Sequence, residues 1–595
     1  MKPYQITCFV FLLCIYTPLF SNQNIIDKAL FLKLDQNQYW LKLLHFENKK
    51  SIINNKDFFL SPFGQKDPKK ELIATIQNIF KDPTTQCKYP ARIKWLQEKL
   101  SFVPIEKIKC PKLDLFLTKN YSKMSIIFTS ERYDSPSSIF GHTFIKVETD
   151  SIPYAINFAA TVPENQNQFL YAYRGITGKY PSEYKILPFS GKDYEYRAKE
   201  FRDLIEFEIQ YSRNEINNVM LHLYEIQHTQ QNYYFIGRNC SSEILKLLDM
   251  AQYTSTFSKK LSTATIPIDI IYILENENLI SNISTQLSKL KLFYIYEKKL
   301  NNYAKDILQK IIQHKQSIHE FDKDTTLSFN SKKNIILASI TYIEMIAYTK
   351  KFESKYTYSL LKLIHLSNKY NLTRDFNLTK KLKKNPISNK FHKLSFGTEY
   401  LKHKESFSLQ YRYLYRNRFD LMDDIKKNGT VEFFDLKIKS QHDTIILDEL
   451  ILLNLEAMPL SNQFFTNTTN KISIGAKRLF YTDHLYNFIE YGLGYKSQLN
   501  NAINYHFFGN TGAYYFNKDI YKVSIESSLE YIYNSTFISE LKLEHNTFSN
   551  GLETHTLYSN NYLKMTNSTV LNFTLEYKKD IKEYTNVILN YTFMF

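Results

Sequence analysis

The sequence predicts a multidomain chain of mixed class: an α+β domain flanked by helical segments, then an antiparallel β-barrel of about twelve strands. Three observations predict it. Apolar residues recur at helical spacing through residues 24–113. Near residue 114 short apolar runs separated by turn formers replace them. From about residue 391, segments of roughly ten residues alternate polar and apolar side chains and carry many aromatics.

At 595 residues the chain exceeds what one hydrophobic core can organise. The expected division is a signal peptide at 1–22, a helical N-terminal domain at 23–113, an α+β domain at 114–265, a helical region at 266–390 and the barrel at 391–595. The aromatic content is 46 Tyr and 44 Phe against 2 Trp, which suits half-buried strands and membrane interfaces. The net charge of +17 comes from Lys spread along the whole chain beside Asn and Ile. No arginine-rich arm or nucleic-acid motif accompanies it, so nucleic acid is not an expected partner.

Met1-Lys2 followed by the mostly apolar Ile6–Leu19 and the polar Ser21-Asn22-Gln23 reads as an export signal. The run is too short for a stable span, and cleavage is expected near residues 20–22. A retained N-terminal anchor is the alternative.

In the N-terminal segment Leu30, Leu34, Trp40, Leu41 and Leu44 mark a helical face, continued by Ile73–Phe80 and by Ile93–Leu100, which Pro90 can start. In the α+β segment, Leu115–Leu117, Ser125–Phe128, Thr143–Val147 and Tyr154–Ala159 read as strands, and Arg213–Gln227 and Cys240–Met250 as helices. Helical patterns return at Ala304–His314 and Ile335–Tyr348, and the Lys380–Lys384 charge run marks a solvated boundary. Ser406–Tyr411, Val523–Tyr531 and Leu571–Tyr577 show the barrel alternation. The ending Asn590–Phe595 resembles the outer-membrane assembly signal of bacterial barrels. Ile445–Leu447 and Leu450–Leu455 break the alternation, so a soluble β-sandwich or a barrel that does not insert stays open.

Of five cysteines, Cys8 and Cys14 fall in the signal. Cys87 and Cys110 can pair as a disulfide in an oxidising compartment. Cys240 is left alone, either as a reactive thiol or as a buried inert one.

Two motifs carry chemistry. Ser135–Val147 runs a small-residue loop into a strand, with His142 at its first position and Gly141 permitting close approach of a substrate or another backbone. Gly237–Leu248 places Cys240 in the first turn of an amphipathic helix. Asn239 is a good N-cap there, and Glu243 fits a cap one position later. A helix N-terminus favours thiolate, and a nearby imidazole lowers the thiol pKa further and returns the proton. The Cys240 N–H can donate to an oxyanion. Asn157, in an otherwise apolar strand, is the candidate to orient His142; a simple backbone bond is the alternative. Asp134 and Glu148 are weaker candidates. Ser138, Gly141 and Asn239 are candidates for holding substrate or oxyanion.

The stretches SPSSIFGHTFIKVE, YAINFAA and RNCSSEILKLL resemble the N-terminal periplasmic domain of the Lnb family, the lipoprotein intramolecular transacylases. The segment Cys87–Arg92 is similar to a region found beside this domain in Gram-negative relatives. The resemblance implies a permuted, papain-like NlpC fold with His142 and Cys240 as the catalytic pair. It also implies transfer of an acyl chain from a lipoprotein's diacylglyceryl group to its α-amino group. Family members are held by transmembrane helices, whereas this chain is expected to end in a barrel.

The leading expectation is an envelope cysteine acyltransferase or hydrolase acting on a lipid or lipoprotein. A cell-wall amidase or peptidase of the NlpC type is the second. A non-catalytic outer-membrane barrel with a degenerate periplasmic domain is the third. No metal-ligand cluster or phosphate loop is evident, and no cofactor is expected.

Overall fold

The computed structural model describes residues 23–102, 106, 108–132, 139–163, 166–262, 265–347, 353–372, 380–382, 385–386, 390–401, 404–420, 429–441, 444–479, 484–500, 502–534, 536–579 and 583–595. The signal at 1–22 therefore lies outside the described residues. Two compact units emerge: Met1–Glu131 with Phe140–Lys383, and Arg132–Ile139 with Lys384–Phe595.

The first unit is built on an eight-stranded sheet. Its strands are β1 (Lys123–Thr129), β2 (His142–Glu148), β3 (Tyr154–Ala160), β4 (Tyr180–Pro188), β5 (Leu204–Ile209), β6 (Gln231–Tyr233), β7 (Ile280–Gln286) and β8 (Lys380–Leu382). The spatial order is β8-β7-β5-β1-β2-β3-β4-β6, antiparallel throughout. The helices that matter for the site are α1 (Pro68–Lys81), α2 (Pro90–Leu100), α3 (Pro111–Leu117), α4 (Arg213–Ile226) and α5 (Cys240–Leu248). Helix α5 packs on β2 and β3, and α2 packs on α4.

The three segments that the sequence separates at 23–113, 114–265 and 266–390 share this one unit. Trp40 and Trp95 stack with ring centroids 5.8 Å apart, and Leu72, Ile76 and Leu96 join them in a core that also takes Leu221 of α4 and Met250. Neither layer buries its apolar face alone. Residues 266–390 are not purely helical either: β7 and β8 extend the sheet. The polar run at 280–286 hid β7 from a pattern search, since its exposure is mostly intermediate. Leu115–Leu117, expected as a strand, ends helix α3 instead. Pro111 at its first position supplies the helical φ where no N–H is needed.

Arg92 ties the layers together by charge. Its guanidinium lies 2.9 Å from Glu71 Oε1 and 3.3 Å from Glu225 Oε2, all three side chains fully buried. Phe58 and Tyr89 sandwich it at 4.2 and 4.3 Å. Glu225 Oε1 also accepts from the N–H groups of Ala91 and Arg92, capping α2 from α4. Cys87 and Cys110 form a disulfide that closes the adjoining segment.

The second unit is a closed antiparallel barrel of twelve strands: β9 (Lys393–Leu401), β10 (Lys404–Arg416), β11 (Gly429–Gln441), β12 (Thr444–Ala457), β13 (Thr469–Arg478), β14 (Leu485–Gln498), β15 (Ile503–Phe516), β16 (Lys518–Tyr533), β17 (Phe537–Phe548), β18 (Glu553–Lys564), β19 (Thr569–Lys579) and β20 (Glu583–Met594). Pairing of Lys393 with Met594 through Leu401 with Asn586 closes it, so no edge is left. On β16, Lys522, Ser524, Glu526, Ser528 and Glu530 turn inward and are buried, while Tyr521, Val523, Ile525, Leu529 and Tyr531 face outward and are exposed. A polar interior with an apolar exterior inverts a water-soluble protein and suits hydrocarbon. The broken alternation near 445–455 has a local cause: the ladder slips between Lys437 and Ile438 and again between Ile451 and Leu453, and each bulge flips the side-chain phase.

Arg92→Met leaves two buried carboxylates without a cation. It is expected to lower the stability of this unit by about 3–5 kcal/mol. The two Trp residues of the chain both lie in that core, so the midpoint of their fluorescence unfolding transition reads the loss directly.

Candidate active site

Helix α5 begins where the sequence expects it. The Asn239 side chain accepts from the N–H groups of Ser241 (3.0 Å) and Ser242 (3.3 Å), and Ser242 Oγ accepts from Asn239 N–H at 3.0 Å. The cap is therefore Asn239, with Ser242 rather than Glu243 completing the capping box. Cys240 is the first helical residue, only 2 % exposed. The cap takes the N–H groups of Ser241 and Ser242, which flank the thiol in that first turn.

His142 opens β2. It meets Asn157 of β3 because the register Ile145↔Ile156 gives the two residues the same side of the sheet. The ring Nε2 lies 2.7 Å from Asn157 Oδ1. That oxygen only accepts, so Nε2 carries a proton toward Asn157, and Nδ1 is the nitrogen left to exchange a proton with the thiol. The imidazole and the Cys240 thiol act on one another electrostatically.

Burial pushes the Cys240 thiol up, but the His142 charge and hydrogen bond, the Thr143 N–H and the Ser241 hydroxyl outweigh it. The thiol falls from its ordinary 9.0 to about 6. Burial pulls the His142 imidazole down, yet the Cys240 thiolate and the Asn157 hydrogen bond carry it above its ordinary value. Each group holds the other charged, the condition of a thiolate–imidazolium couple.

The remaining expected residues divide. Gly141 has φ 84°, and a Cβ there would meet the Phe128 ring and Thr129 O at 2.7 Å. What comes close to it is therefore its own sheet, and glycine is required by backbone conformation. The Asn239 side chain is not available as an oxyanion donor: its Nδ2 donates to Phe235 O (3.3 Å) and Thr265 O (2.8 Å). Glu148 is taken by Lys146 at 2.7 Å, which leaves Asn157 as the partner of His142. Ser138 and Asp134 lie outside the described residues.

Several neighbours gave no signal in the sequence. Thr143 Oγ1 donates to Ser241 Oγ at 3.2 Å and approaches the Cys240 sulfur at 3.9 Å. Tyr196 packs its ring 5.9 Å from His142, and the Arg202 guanidinium lies over Tyr196 at 5.1 Å. Arg202 itself is buried, its Nε donating to Ser130 O at 2.6 Å. Tyr233 of β6 is buried and electrostatically coupled to Cys240. Thr143 stands next to His142 on β2, whereas Tyr196 and Arg202 come from the segment before β5 and Tyr233 from β6, positions that no local spacing connects to Cys240.

Fold and site define a class: an α+β domain with a buried thiol–imidazole–amide trio, in a chain that ends in a membrane-type barrel. Residues 117–277 match the Lnb N-terminal periplasmic domain. Residues 32–99 match a domain of unknown function, DUF7843, and residues 387–593 another, DUF7840. No curated protein matches the chain. Among solved structures, the KdgM porin in complex with disordered oligogalacturonate is 10 % identical, with a TM-score of 0.23 over 34 % of this chain and 99 % of its own. The COG4313 outer membrane channel from Pseudomonas putida F1 is 10 % identical, with a TM-score of 0.25 over 36 % of this chain and 100 % of its own. A bacterial polysaccharide outer membrane secretin is 8 % identical, with a TM-score of 0.24 over 35 % of this chain and 100 % of its own. The periplasmic-domain match and the closed barrel together place the protein in the cell envelope. Among the described residues no helix is long and apolar enough to cross a membrane.

The lowered thiol predicts a distinctive alkylation profile. Iodoacetamide labelling of Cys240 is expected to rise through a midpoint near 6 as pH increases, because only the thiolate reacts. In His142→Ala the largest influence against burial is gone and only the Thr143 N–H and the Ser241 hydroxyl oppose it, so the midpoint moves up. An unchanged midpoint would remove the charge couple from the site.

Proposed function

We propose that the protein is an envelope cysteine acyltransferase or hydrolase that takes an acyl group from a lipid or lipoprotein. The observation that supports this most is the electrostatic pairing of the Cys240 thiol with His142, itself held by Asn157, inside the segment that matches the Lnb periplasmic domain. That domain family is associated with lipoprotein acyl transfer. The same pairing could serve amide cleavage, but the family match favours an ester.

The steps follow from the charge states. The Cys240 thiolate adds to the ester carbonyl carbon, and the π pair moves onto oxygen. The Cys240 N–H, at the first position of the helix, is the donor assigned to that oxyanion. Collapse breaks the C–O bond, and the leaving alkoxide takes the proton from His142 Nδ1. A thioester on Cys240 and a neutral imidazole remain. An amine or a water then adds to the thioester as His142 takes its proton, and the thiolate departs. An amine acceptor gives an amide, and water gives a free acid. Asn157 holds the ring so that Nδ1, not Nε2, faces these atoms throughout.

Cys240→Ala and His142→Ala are each expected to lower turnover by about a thousandfold or more, since the two groups act as a unit. The Trp unfolding midpoint should stay in place, because neither residue belongs to that core. Intact-mass analysis of trapped protein should show a fatty-acyl adduct on Cys240. A peptidyl adduct instead would assign the site to cell-wall amide cleavage, and full turnover by either variant would end the mechanism.

A further inference from the structure

The barrel interior is crossed by side chains from opposite walls. Directly after β10 the chain makes a tight turn at Asn417–Asp420: Asp420 N–H donates to Asn417 O at 3.0 Å and Asn417 N–H to Asp420 Oδ2 at 2.8 Å. Asp420 is held by Arg412 of β10 at 2.6 Å, and Arg412 also pairs with Glu432 of β11 at 3.0 Å. Phe419 stacks on Tyr562 of β18 at 4.4 Å and packs on Ile538, Val570 and Met594. The turn is thus folded inward and fixed to several strands.

From this turn Arg418 reaches across. Its guanidinium pairs with Glu530 of β16, with Glu540 of β17 at 3.0 Å and with Glu456 of β12 at 3.4 Å. In a ring of twelve strands β10 and β16 stand opposite one another. Lys496 of β14, fully buried, adds a second cation to Glu530 at 2.8 Å. Arg418 is itself only 8 % exposed. The bridge lies toward the end of the barrel where β9 starts and β20 finishes, since Glu456, Lys496, Glu530 and Glu540 all sit near that end of their strands.

Two other uses of this cluster fit less well. His506, Glu530 and Glu540 stand within ligating distance of one another, as a metal would require. The Arg418 and Lys496 cations already lie on those two carboxylates, so a divalent ion would have to enter beside two positive groups. A purely structural brace is also unsatisfactory, because ladders already close the barrel and a cation spanning its lumen adds no pairing to them.

We propose that Arg418 is a latch that seals the barrel lumen, and that releasing it uncovers a cation-selective pathway. With the guanidinium in place, the three carboxylates are neutralised in large part and the passage is bridged. Without it, Glu456, Glu530 and Glu540 are left with Lys496 and, beside Glu540, Lys542, so the local balance turns negative and favours cations over anions. The latch is independent of the chemistry at Cys240.

The test is conductance of the full-length protein in a planar lipid bilayer across a KCl gradient. Wild type should stay closed. Arg418→Ala should raise the time-averaged conductance by about tenfold or more, with a reversal potential favouring potassium over chloride. The Glu530→Gln, Glu540→Gln double variant removes the latch's main partners and should also conduct, with weaker cation preference. Folding of each variant is read from the Trp transition and from resistance of the barrel to detergent before heating. Wild-type protein that conducts steadily overturns the proposal whatever the variants do. So does silence of both variants in folded form, or an anion preference in Arg418→Ala.

Discussion

The site depends on one buried pair of charges. A cysteine that is 2 % exposed is ordinarily an inert hydrophobe, since burial disfavours its thiolate. At Cys240 the imidazole of His142 reverses that outcome. Neither residue achieves this alone: without the thiolate, burial would keep the imidazole neutral, and without the imidazolium it would keep the thiol protonated. The geometry of the domain can be read as the means of keeping these two groups together. Strand β2 fixes the ring's origin, Asn157 on β3 fixes its rotation, and the Asn239 cap fixes the helix start that carries the sulfur.

The flanking helical layer contributes to that placement. Glu47, in the N-terminal segment, pairs with Arg238 at 2.8 Å and with Lys246, on either side of Cys240. Lys246 also pairs with the buried Glu243. Helix α5 is therefore clamped from outside the sheet by a residue nearly two hundred positions earlier. The segment at 32–99 and the Lnb-like segment at 117–277 meet in this clamp, in the Arg92–Glu225 contact and in the tryptophan core. Separating them would expose an apolar face and strand buried charges on both sides.

Much of this was legible in the sequence, for reasons that differ from element to element. The Asn239–Cys240 start of α5 is a local signal, carried by the cap and the apolar face behind it. Asn157 was legible only as a candidate, because a lone Asn in an apolar strand needs a partner; which face it takes depends on the loop length, and the β2–β3 register puts it on the His142 side. The twelve barrel strands were legible because lumen and lipid demand opposite side chains at every second position. What was not legible came from afar or from a local exception. Helix α3 was hidden by an apolar triplet that fits a strand as well as a helix, and Pro111 decided it. Tyr196, Arg202 and Tyr233 reach the site from distant positions, and no spacing rule connects them to Cys240. Asn239 was legible as a cap but misleading as an oxyanion donor, because its amide hydrogens go to Phe235 and Thr265. The bulges of β11 and β12 broke a pattern that resumes on either side of them.

The chain contains several buried ion pairs, and comparing them shows why one of them suits chemistry. Arg92 with Glu71 and Glu225, and Arg412 with Asp420 and Glu432, are fully or almost fully buried. A guanidinium does not release its proton in a protein, so the cation of such a pair is fixed even where burial pushes its partner up, as it pushes Glu225 to about 7. Replacing the cation by imidazole and the carboxylate by thiol changes that. Both partners then titrate near neutrality, and a proton can pass between them, out to a leaving group and back from an acceptor. The same desolvation that makes an arginine pair rigid makes the thiol–imidazole pair responsive, because small changes in what sits beside it shift which partner holds the proton. A substrate carbonyl that enters beside Cys240 is such a change: it takes the sulfur's electron pair, removes the charge that kept the imidazolium protonated, and so sets His142 to give up its proton at the step where a leaving group needs one.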